Sequence, residues 1–284
     1  MPGQKNYPVG VPCWVDLVQD DRASTEAFYA GLFGWTFDVL TPPEVPGHYA
    51  YALLDGEIVG GVGSPASPSA PAGWNSYMCV ESADRAAASV EANGGSVLDP
   101  PTDVGPSGRV VQCADPGGAH FGLWEPAQLL GSQIVNAPGS WNFSELNSAD
   151  PEDALRFYGA VFGWELGSLG PTDSGPFRFF RLPGYGEFLA ARDPAMQEMM
   201  ESDQIPAGFG DAVAILKPFA SDTASPANHW STTFAVADAD SAFARAVELG
   251  AEVILAPFDT PYTRQFAVRD PQGAAINLSE YRPS

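Results

Sequence analysis

The octapeptide Phe28–Trp35, FYAGLFGW, recurs later in the chain as Phe157–Trp164, FYGAVFGW. A second motif repeats in the same order, because Asp115–Ala119, DPGGA, recurs as Asp270–Ala274, DPQGA. Self-similarity over such a distance indicates a duplicated structural unit, and it has to be recognised before any helix or strand is assigned. The chain is therefore predicted to be a tandem repeat of two copies with one fold.

The length of the chain is sufficient for two domains, each with its own core. There are 284 residues, of which 45% are hydrophobic, so each copy has roughly 130 residues to form a domain. We predict a first domain over residues 8–126, a linker over 127–139 and a second domain over 140–284.

The second copy is longer than the first. Matching the repeated motifs on both sides assigns the additional residues to an insertion within 191–228. This insertion is interpreted as a surface elaboration or a lid, with Met196, Met199 and Met200 on a short helix and Ala212–Leu216 as an extra strand.

Acidic residues dominate the charge of the chain, with 35 Asp and Glu against 13 Lys and Arg and a net charge of -22. Such a surface repels polyanions, so neither a nucleic acid nor a membrane is expected as a partner. Cys13, Cys79 and Cys113 are odd in number and lack CxxC spacing, which argues against a disulfide framework or a zinc knuckle. With no signal-peptide pattern or long apolar run, we expect a cytoplasmic protein, monomeric or homodimeric, whose partner is a small molecule.

Local patterns predict four helices, each followed by a glycine that can end it in the left-handed conformation. Their ranges are about Arg22–Phe33, Asp84–Asn93, Pro151–Phe162 and Asp240–Leu249. Alternating or β-rich runs between the helices are typical of half-buried strands. These strands are predicted at Val11–Val18, Tyr49–Leu54, Trp74–Val80, Val110–Cys113, Trp141–Leu146, Phe177–Leu182, Thr232–Val236 and Gln265–Val268. Each copy thus contains two units, each with a strand, a helix and further short strands.

Four βαβββ-like units, with an FY..xFGW motif closing the first helix of each copy and a DPxG motif before the last strand, resemble the vicinal-oxygen-chelate superfamily. This superfamily includes glyoxalase I, bleomycin-resistance proteins and extradiol dioxygenases, and the layout is most similar to tandem two-domain glyoxalase-like proteins of actinobacteria. The resemblance implies an α+β fold in which each domain pairs two βαβββ units into a curved mixed sheet around a cavity. It leaves the function open, because such folds host lyases, dioxygenases, thiol transferases and drug-binding proteins.

Superfamily members that use a divalent cation carry its ligands at three positions of the sheet. The resemblance assigns these positions to Trp14, Asn75 and Gly122 in the first copy and to Phe143, Ser231 and Asn277 in the second. None of the six is a His or a carboxylate, so we expect no metal and no cofactor. His120 shares the face of Gly122 by strand alternation and is interpreted as a structural residue or as a side chain in the cavity.

In place of a metal, each cavity is predicted to hold a large ring and a carboxylate. Strand alternation puts Trp14 and Asp16 on one face, and Phe143, Glu145 and Asn147 on the equivalent face of the second copy. Rings stack on planar ligands, and a carboxylate accepts hydrogen bonds from hydroxyl or amine groups. Burial would raise the pKa of such a carboxyl, as in general acids and bases. Asp16 and Glu145 are therefore either acid/base residues or structural acceptors.

Two arginines, Arg109 and Arg264, recur at one position of the repeat. A guanidinium at the mouth of a cavity would hold a phenolate, carboxylate or enolate through two hydrogen bonds. Pairing with Asp16 and Glu145 in internal salt bridges is equally compatible with the sequence.

The principal hypothesis is binding of a small aromatic or polycyclic organic molecule without a metal, in secondary metabolism or self-resistance. A first alternative is a metal-free cyclase, isomerase or ring-opening enzyme in which Asp16 or Glu145 moves a proton and Arg109 or Arg264 stabilises an oxyanion. A second alternative is a glyoxalase- or dioxygenase-type metalloenzyme with relocated ligands. A non-catalytic interaction protein would instead need an exposed apolar patch.

Overall fold

The computed structural model describes residues 7–42, 44–65, 73–170, 177–191, 197–198, 208–219 and 228–282. Met196, Met199 and Met200, predicted to lie on a short helix of the insertion, fall outside these ranges. In the described part of the chain, no helix is both long enough and apolar enough to cross a membrane.

The first copy contains, in chain order, β1 Pro12–Val18, α1 Arg22–Phe33, β2 Thr36–Val39, β3 Tyr49–Leu54, β4 Glu57–Gly63, β5 Gly73–Cys79, α2 Ala83–Ala92, β6 Ser96–Asp103, β7 Gly108–Ala114 and β8 His120–Pro126. The second copy contains β9 Trp141–Ser148, α3 Pro151–Phe162, β10 Glu165–Leu169, β11 Phe177–Arg181, α4 Tyr185–Ala190, a 3-10 turn Phe209–Asp211, β12 Ala212–Pro218, β13 His229–Ala235, α5 Ala239–Glu248, β14 Glu252–Asp259, β15 Thr263–Arg269 and β16 Ala275–Tyr281. The four predicted helices are confirmed to within a residue at either end, and every predicted strand overlaps an observed one.

The ends of α1 and α3 follow from their local sequence. Asp21 and Asp150 precede the two helices, and their carboxylates accept hydrogen bonds from backbone N–H groups of the first turn. Gly34 and Gly163 follow the helices with φ of 76° and 74°, a left-handed conformation that only glycine adopts without strain. The repeated octapeptides therefore begin inside a helix and continue past its end.

The strands form two eight-stranded mixed sheets, each made from one copy. The first has the order β2-β3-β4-β1-β5-β8-β7-β6, and the second has the order β10-β11-β12-β9-β13-β16-β15-β14. Within each βαβββ unit the first and last strands are parallel neighbours, as in β1 with β4 and β9 with β12. The predicted α+β fold with paired βαβββ units is confirmed.

Each sheet has one face that packs on helices, the helix face, and an opposite side, the inner face. The clusters on the helix faces cross from one copy to the other. Phe33 of α1 packs on Phe234 of β13 with ring centroids 5.2 Å apart, and Phe121 of β8 packs on Phe157 of α3 at 6.1 Å. We expected one separate core for each copy. The structure differs, because the helices of each copy also cover part of the helix face of the other copy's sheet.

The additional length of the second copy lies between β11 and β12. Residues 182–211 join these two strands, whereas residues 55–56 join the corresponding β3 and β4. β12 pairs with β9 as β4 pairs with β1, so Ala212–Leu216 belongs to the repeated unit and is not an extra strand. The predicted range 191–228 therefore starts too late and reaches too far toward the C-terminus.

Candidate functional site

The inner face of the first sheet carries a polar cluster at its centre. β1 and β5 are antiparallel, with Asp16 opposite Asn75 and Trp14 opposite Tyr77, so alternation directs these four side chains to one face. β3 and β7 each add one side chain to the cluster. We call the following residues the first-copy site: Trp14, Asp16, Tyr49, Asn75, Tyr77 and Gln112.

Asp16 lies at the centre of the first-copy site, with 5% of its surface exposed. Its carboxylate accepts a hydrogen bond from Nδ2 of Asn75 at 3.1 Å and from the hydroxyls of Tyr49 and Tyr77 at 3.0 Å each. Burial raises the pKa of Asp16 from 3.8 to about 6, although the three donors act in the opposite direction. The carboxyl therefore changes its protonation state at mildly acidic pH, as a group that transfers protons must.

Two glycines provide the space that the phenol rings need. Gly61 pairs with Asp16 across β4 and β1, and a Cβ at Gly61 would lie 1.9 Å from the hydroxyl oxygen of Tyr49. A Cβ at Gly122 would lie 1.9 Å from Cδ1 of Tyr77. Gly122 is the position that the resemblance assigns to the last metal ligand, and the ring of Tyr77 covers it.

Aromatic side chains extend the cluster along the inner face of the first sheet. The indole N–H of Trp14 donates to the hydroxyl of Tyr49 at 3.1 Å, and its ring meets Tyr51 edge-on with centroids 6.0 Å apart. The Tyr51 hydroxyl is 3.0 Å from Oγ of Ser107. β3 and the turn before β7 lie near opposite edges of the sheet, so this hydrogen bond indicates that the sheet curves around its inner face.

The second copy also buries a carboxylate on its inner face. Glu145 is 4% exposed and accepts hydrogen bonds from Oγ1 of Thr233 at 2.9 Å and from Nδ2 of Asn277 at 3.2 Å. It also forms an ion pair with the ammonium group of Lys217 on β12. Glu145 is equivalent to Asp16, but its partners include a cation where Asp16 has two phenols.

Apolar rings and small polar groups surround Glu145. Phe143 and Phe179 both pack on Phe209, with centroid distances of 5.9 and 5.0 Å. Nδ2 of Asn147 donates to Oγ of Ser231 at 3.1 Å. We call the following residues the second-copy site: Phe143, Glu145, Asn147, Phe179, Phe209, Lys217, Ser231, Thr233 and Asn277.

The two recurring arginines have carboxylate partners outside these sites. Arg109 forms ion pairs with Asp84, Asp103 and Glu125, and Arg264 forms ion pairs with Asp240 and Asp259. The internal salt bridges with Asp16 and Glu145 that the sequence allowed are not the ones formed, because those carboxylates have the partners described above. A role of Arg109 and Arg264 in holding an anionic ligand stays a prediction.

In the described part of the chain, neither inner face brings together the donor set of a divalent cation. His120 begins β8 and is exposed, and the described residues contain no group of three or more His, Cys, Asp and Glu side chains that could hold a metal. The ring of Tyr77 covers Gly122 in the first copy, and the ammonium of Lys217 lies against Glu145 in the second. A second positive charge is disfavoured beside an ammonium group, and a transition metal is normally held by several imidazole, carboxylate or thiolate donors together.

Some residues of the two sites were not identified from the sequence. Tyr77 and Thr233 follow the predicted positions Asn75 and Ser231 by two residues in the same strand, so alternation alone would have found them. Lys217 is the next-to-last residue of an otherwise apolar strand, and a lysine in such a run is the signal that was available. Gln112 carried no such signal, because its role depends on the approach of Tyr77 from another strand.

Comparison with known proteins identifies the family. A family model described as the Glyoxalase/Bleomycin resistance protein/Dioxygenase superfamily matches residues 13–123 and 142–278. The chain belongs to this superfamily. A protein of Mycobacterium tuberculosis named as a glyoxylase, CFP32, is 34% identical over 288 residues, which cover 100% of this chain and 99% of that protein. The anthracycline biosynthesis protein DnrV of Streptomyces peucetius is 33% identical over 290 residues, covering 97% and 95%.

A solved structure supports the fold of this superfamily member. The Mn(II)-bound glyoxalase of Novosphingobium aromaticivorans aligns with a TM-score of 0.58 and 16% identity, covering 96% of this chain and 82% of that one. At this identity the likeness concerns the fold alone. The predicted resemblance to the superfamily is confirmed, while none of the six positions assigned to metal ligands holds a His or a carboxylate.

Proposed function

We propose that this superfamily member binds a small hydroxylated aromatic or polycyclic molecule at the first-copy site, without a metal ion, in cytoplasmic secondary metabolism. The observation that carries the proposal is Asp16, a buried carboxyl with a pKa of about 6 between two phenols. When protonated it can donate a hydrogen bond to a carbonyl, and when ionised it accepts one from a hydroxyl. Trp14 and Tyr51 add flat apolar surface for a ring.

The relationship to DnrV, which is named for anthracycline biosynthesis, supports a role in secondary metabolism. Independence from a metal is supported by the phenol ring over Gly122 and by a single carboxylate held by three neutral donors. Elemental analysis of the purified protein tests this part directly. A stoichiometric transition metal that is required for binding or activity would contradict it.

Calorimetric titration with 2-naphthol and with 2-methoxynaphthalene tests the ligand class. The two probes share a ring system, but only the naphthol can donate a hydrogen bond to Asp16. We expect Asp16→Ala to weaken naphthol binding by roughly tenfold or more and to leave the methoxy probe nearly unchanged. Asp20→Ala, which removes an exposed carboxyl just after β1, is the matched control. If Asp16→Ala and Asp20→Ala changed the affinity for 2-naphthol equally, the proposal would be contradicted.

The pKa of Asp16 also favours a second candidate function, a metal-free acid/base enzyme acting on an enolisable aromatic substrate. Ionised Asp16 would accept the proton from carbon. The hydroxyls of Tyr49 and Tyr77, which donate to the ionised carboxylate, would then turn to donate hydrogen bonds to the enolate oxygen. We expect Asp16→Asn to abolish turnover of such a substrate while changing its affinity much less. Turnover that survives in Asp16→Asn would exclude this candidate.

A further inference from the structure

The inner face of the second copy differs from that of the first by a positive charge. Lys217 lies on β12, next to Asn147 of β9 in the parallel ladder, at the position that Gly63 occupies in the first copy. In a chain with 13 basic and 35 acidic residues, an anionic ligand is attracted only where a cation lies close by. Lys217 therefore gives the second-copy site a different preference from the first.

The ammonium group of Lys217 is held in place but remains accessible. It pairs with Glu145, which is already a hydrogen-bond acceptor for Thr233 and Asn277. The side chain of Lys217 is 44% exposed, whereas that of Glu145 is 6% exposed. An ammonium group carries three N–H donors, so the pair with Glu145 leaves it able to donate to a ligand as well.

A wall of phenyl rings lies on the same face. Phe143 and Phe209 are 5.9 Å apart and Phe179 and Phe209 are 5.0 Å apart, measured between ring centroids. Ile215, which pairs with Glu145 across the parallel ladder, belongs to the same apolar cluster. A planar ligand can bury one side against these rings while its charged end reaches Lys217.

We infer that the second-copy site binds an aromatic carboxylate, with the carboxylate on Lys217 and the ring against Phe143 and Phe209, which the buried Phe179 supports from behind. Asn147 and Ser231 lie beside Lys217 and Glu145 and supply further polar groups for the same end of the ligand. The protein would then bind an uncharged hydroxylated ring in one copy and an anionic ring in the other. This inference concerns a separate site and stands if the proposal for the first-copy site fails.

Calorimetric titration with 2-naphthoate and 2-naphthamide tests the inference, because the two probes have the same shape and differ in charge. We expect the full-length protein to prefer the naphthoate, and Lys217→Met to weaken naphthoate binding by about tenfold or more. The affinity for 2-naphthamide should change by less than about twofold. Arg178→Met is the control, since Arg178 lies on β11 of the same sheet but is paired with Glu152 of α3 on the helix face. Its naphthoate affinity should match that of the unchanged protein.

A second variant covers the case in which Lys217→Met fails to fold. In Glu145→Gln the ammonium of Lys217 loses its ionised partner, so naphthoate should bind more tightly while naphthamide is unaffected. Naphthoate binding should also weaken with added salt, and naphthamide binding should not. The inference would be overturned if the unchanged protein bound the two probes with equal affinity. It would also be overturned if Lys217→Met and Arg178→Met weakened naphthoate binding equally. Failure of the first-copy proposal alone would instead appear as naphthol binding that is insensitive to Asp16→Ala.

Discussion

At the scale of single residues, Asp16 and Glu145 illustrate how equivalent positions acquire different chemistry. Both are acidic, buried and on inner faces. Asp16 is surrounded by neutral donors, so burial dominates and its pKa rises to about 6. Glu145 instead forms an ion pair with the ammonium of Lys217. The duplication therefore conserved a carboxylate while the groups around it diverged.

The raised pKa of Asp16 makes the stability of the protein depend on pH. The folded protein holds this proton more tightly than the unfolded chain, so the contribution of Asp16 is greatest below pH 3.8 and is lost as the pH rises to about 6. The shift corresponds to about 3 kcal/mol. We therefore expect the difference in free energy of unfolding between the unchanged protein and Asp16→Asn to fall by up to about 3 kcal/mol as the pH rises from 3.8 to about 6.

Urea denaturation at several pH values measures this difference. Asn remains uncharged throughout, so subtracting the two curves isolates the titration of residue 16. The same comparison with Ser76→Ala, which removes no titrating group, should give a nearly constant difference. A constant difference for Asp16→Asn as well would contradict the raised pKa.

At the scale of secondary structure elements, α1 and α3 join the two copies through the tyrosines of the repeated octapeptides. The hydroxyl of Tyr29 donates to Asp270 in the turn between β15 and β16 at 3.1 Å, and that of Tyr158 donates to Asp115 in the turn between β7 and β8 at 3.0 Å. Both aspartates belong to the repeated DPxG motifs. The two motifs that identify the duplication therefore bind each other, each across the boundary between copies.

Removing either hydroxyl leaves a buried carboxylate without one of its donors. We expect Tyr29→Phe and Tyr158→Phe each to lower the free energy of unfolding by about 1–3 kcal/mol, measured by urea denaturation. Tyr51→Phe is the control, because Tyr51 also loses one hydrogen bond, to Ser107, but this bond is only partly buried. If Tyr29→Phe and Tyr158→Phe lower the free energy of unfolding by no more than Tyr51→Phe does, the contacts with Asp270 and Asp115 contribute little to stability.

At the scale of the whole molecule, the helix-face cores are shared. One cluster combines α1 and β1 with strands β13, β15 and β16, and the other combines α2, β7 and β8 with α3, β11 and β12. Each copy alone would expose the apolar surface that the other covers. The apolar clusters of the inner faces, in contrast, each lie within one copy, so each proposed site belongs to a single sheet.

Expression of residues 1–137 and 138–284 as separate chains tests this dependence. We expect neither half alone to unfold cooperatively on heating, since about half of each helix-face core is missing, and we expect the mixed halves to recover a single transition. Differential scanning calorimetry measures both. Two halves that each unfold cooperatively near the temperature of the intact protein would contradict a shared core.

The amino-acid sequence was enough to predict the duplication, the four main helices, most of the strands and the superfamily. It also determined that Trp14, Asp16, Phe143 and Glu145 share equivalent faces. These features depend on caps, on residue spacing and on strand alternation, which act over a few residues and can be counted along the chain. The absence of His and carboxylate at the metal positions was readable in the same way.

The folded structure was needed to establish which side chains meet. It paired Arg109 with Asp84 rather than Asp16, brought Tyr49 and Tyr77 to Asp16, set Lys217 against Glu145 and let each helix pack on the other copy. Such contacts join residues far apart in the chain, and strand order, sheet curvature and the packing of the two copies determine them together. The pKa of a carboxyl depends on these neighbours and on its burial, so its chemistry becomes defined only when the chain is folded.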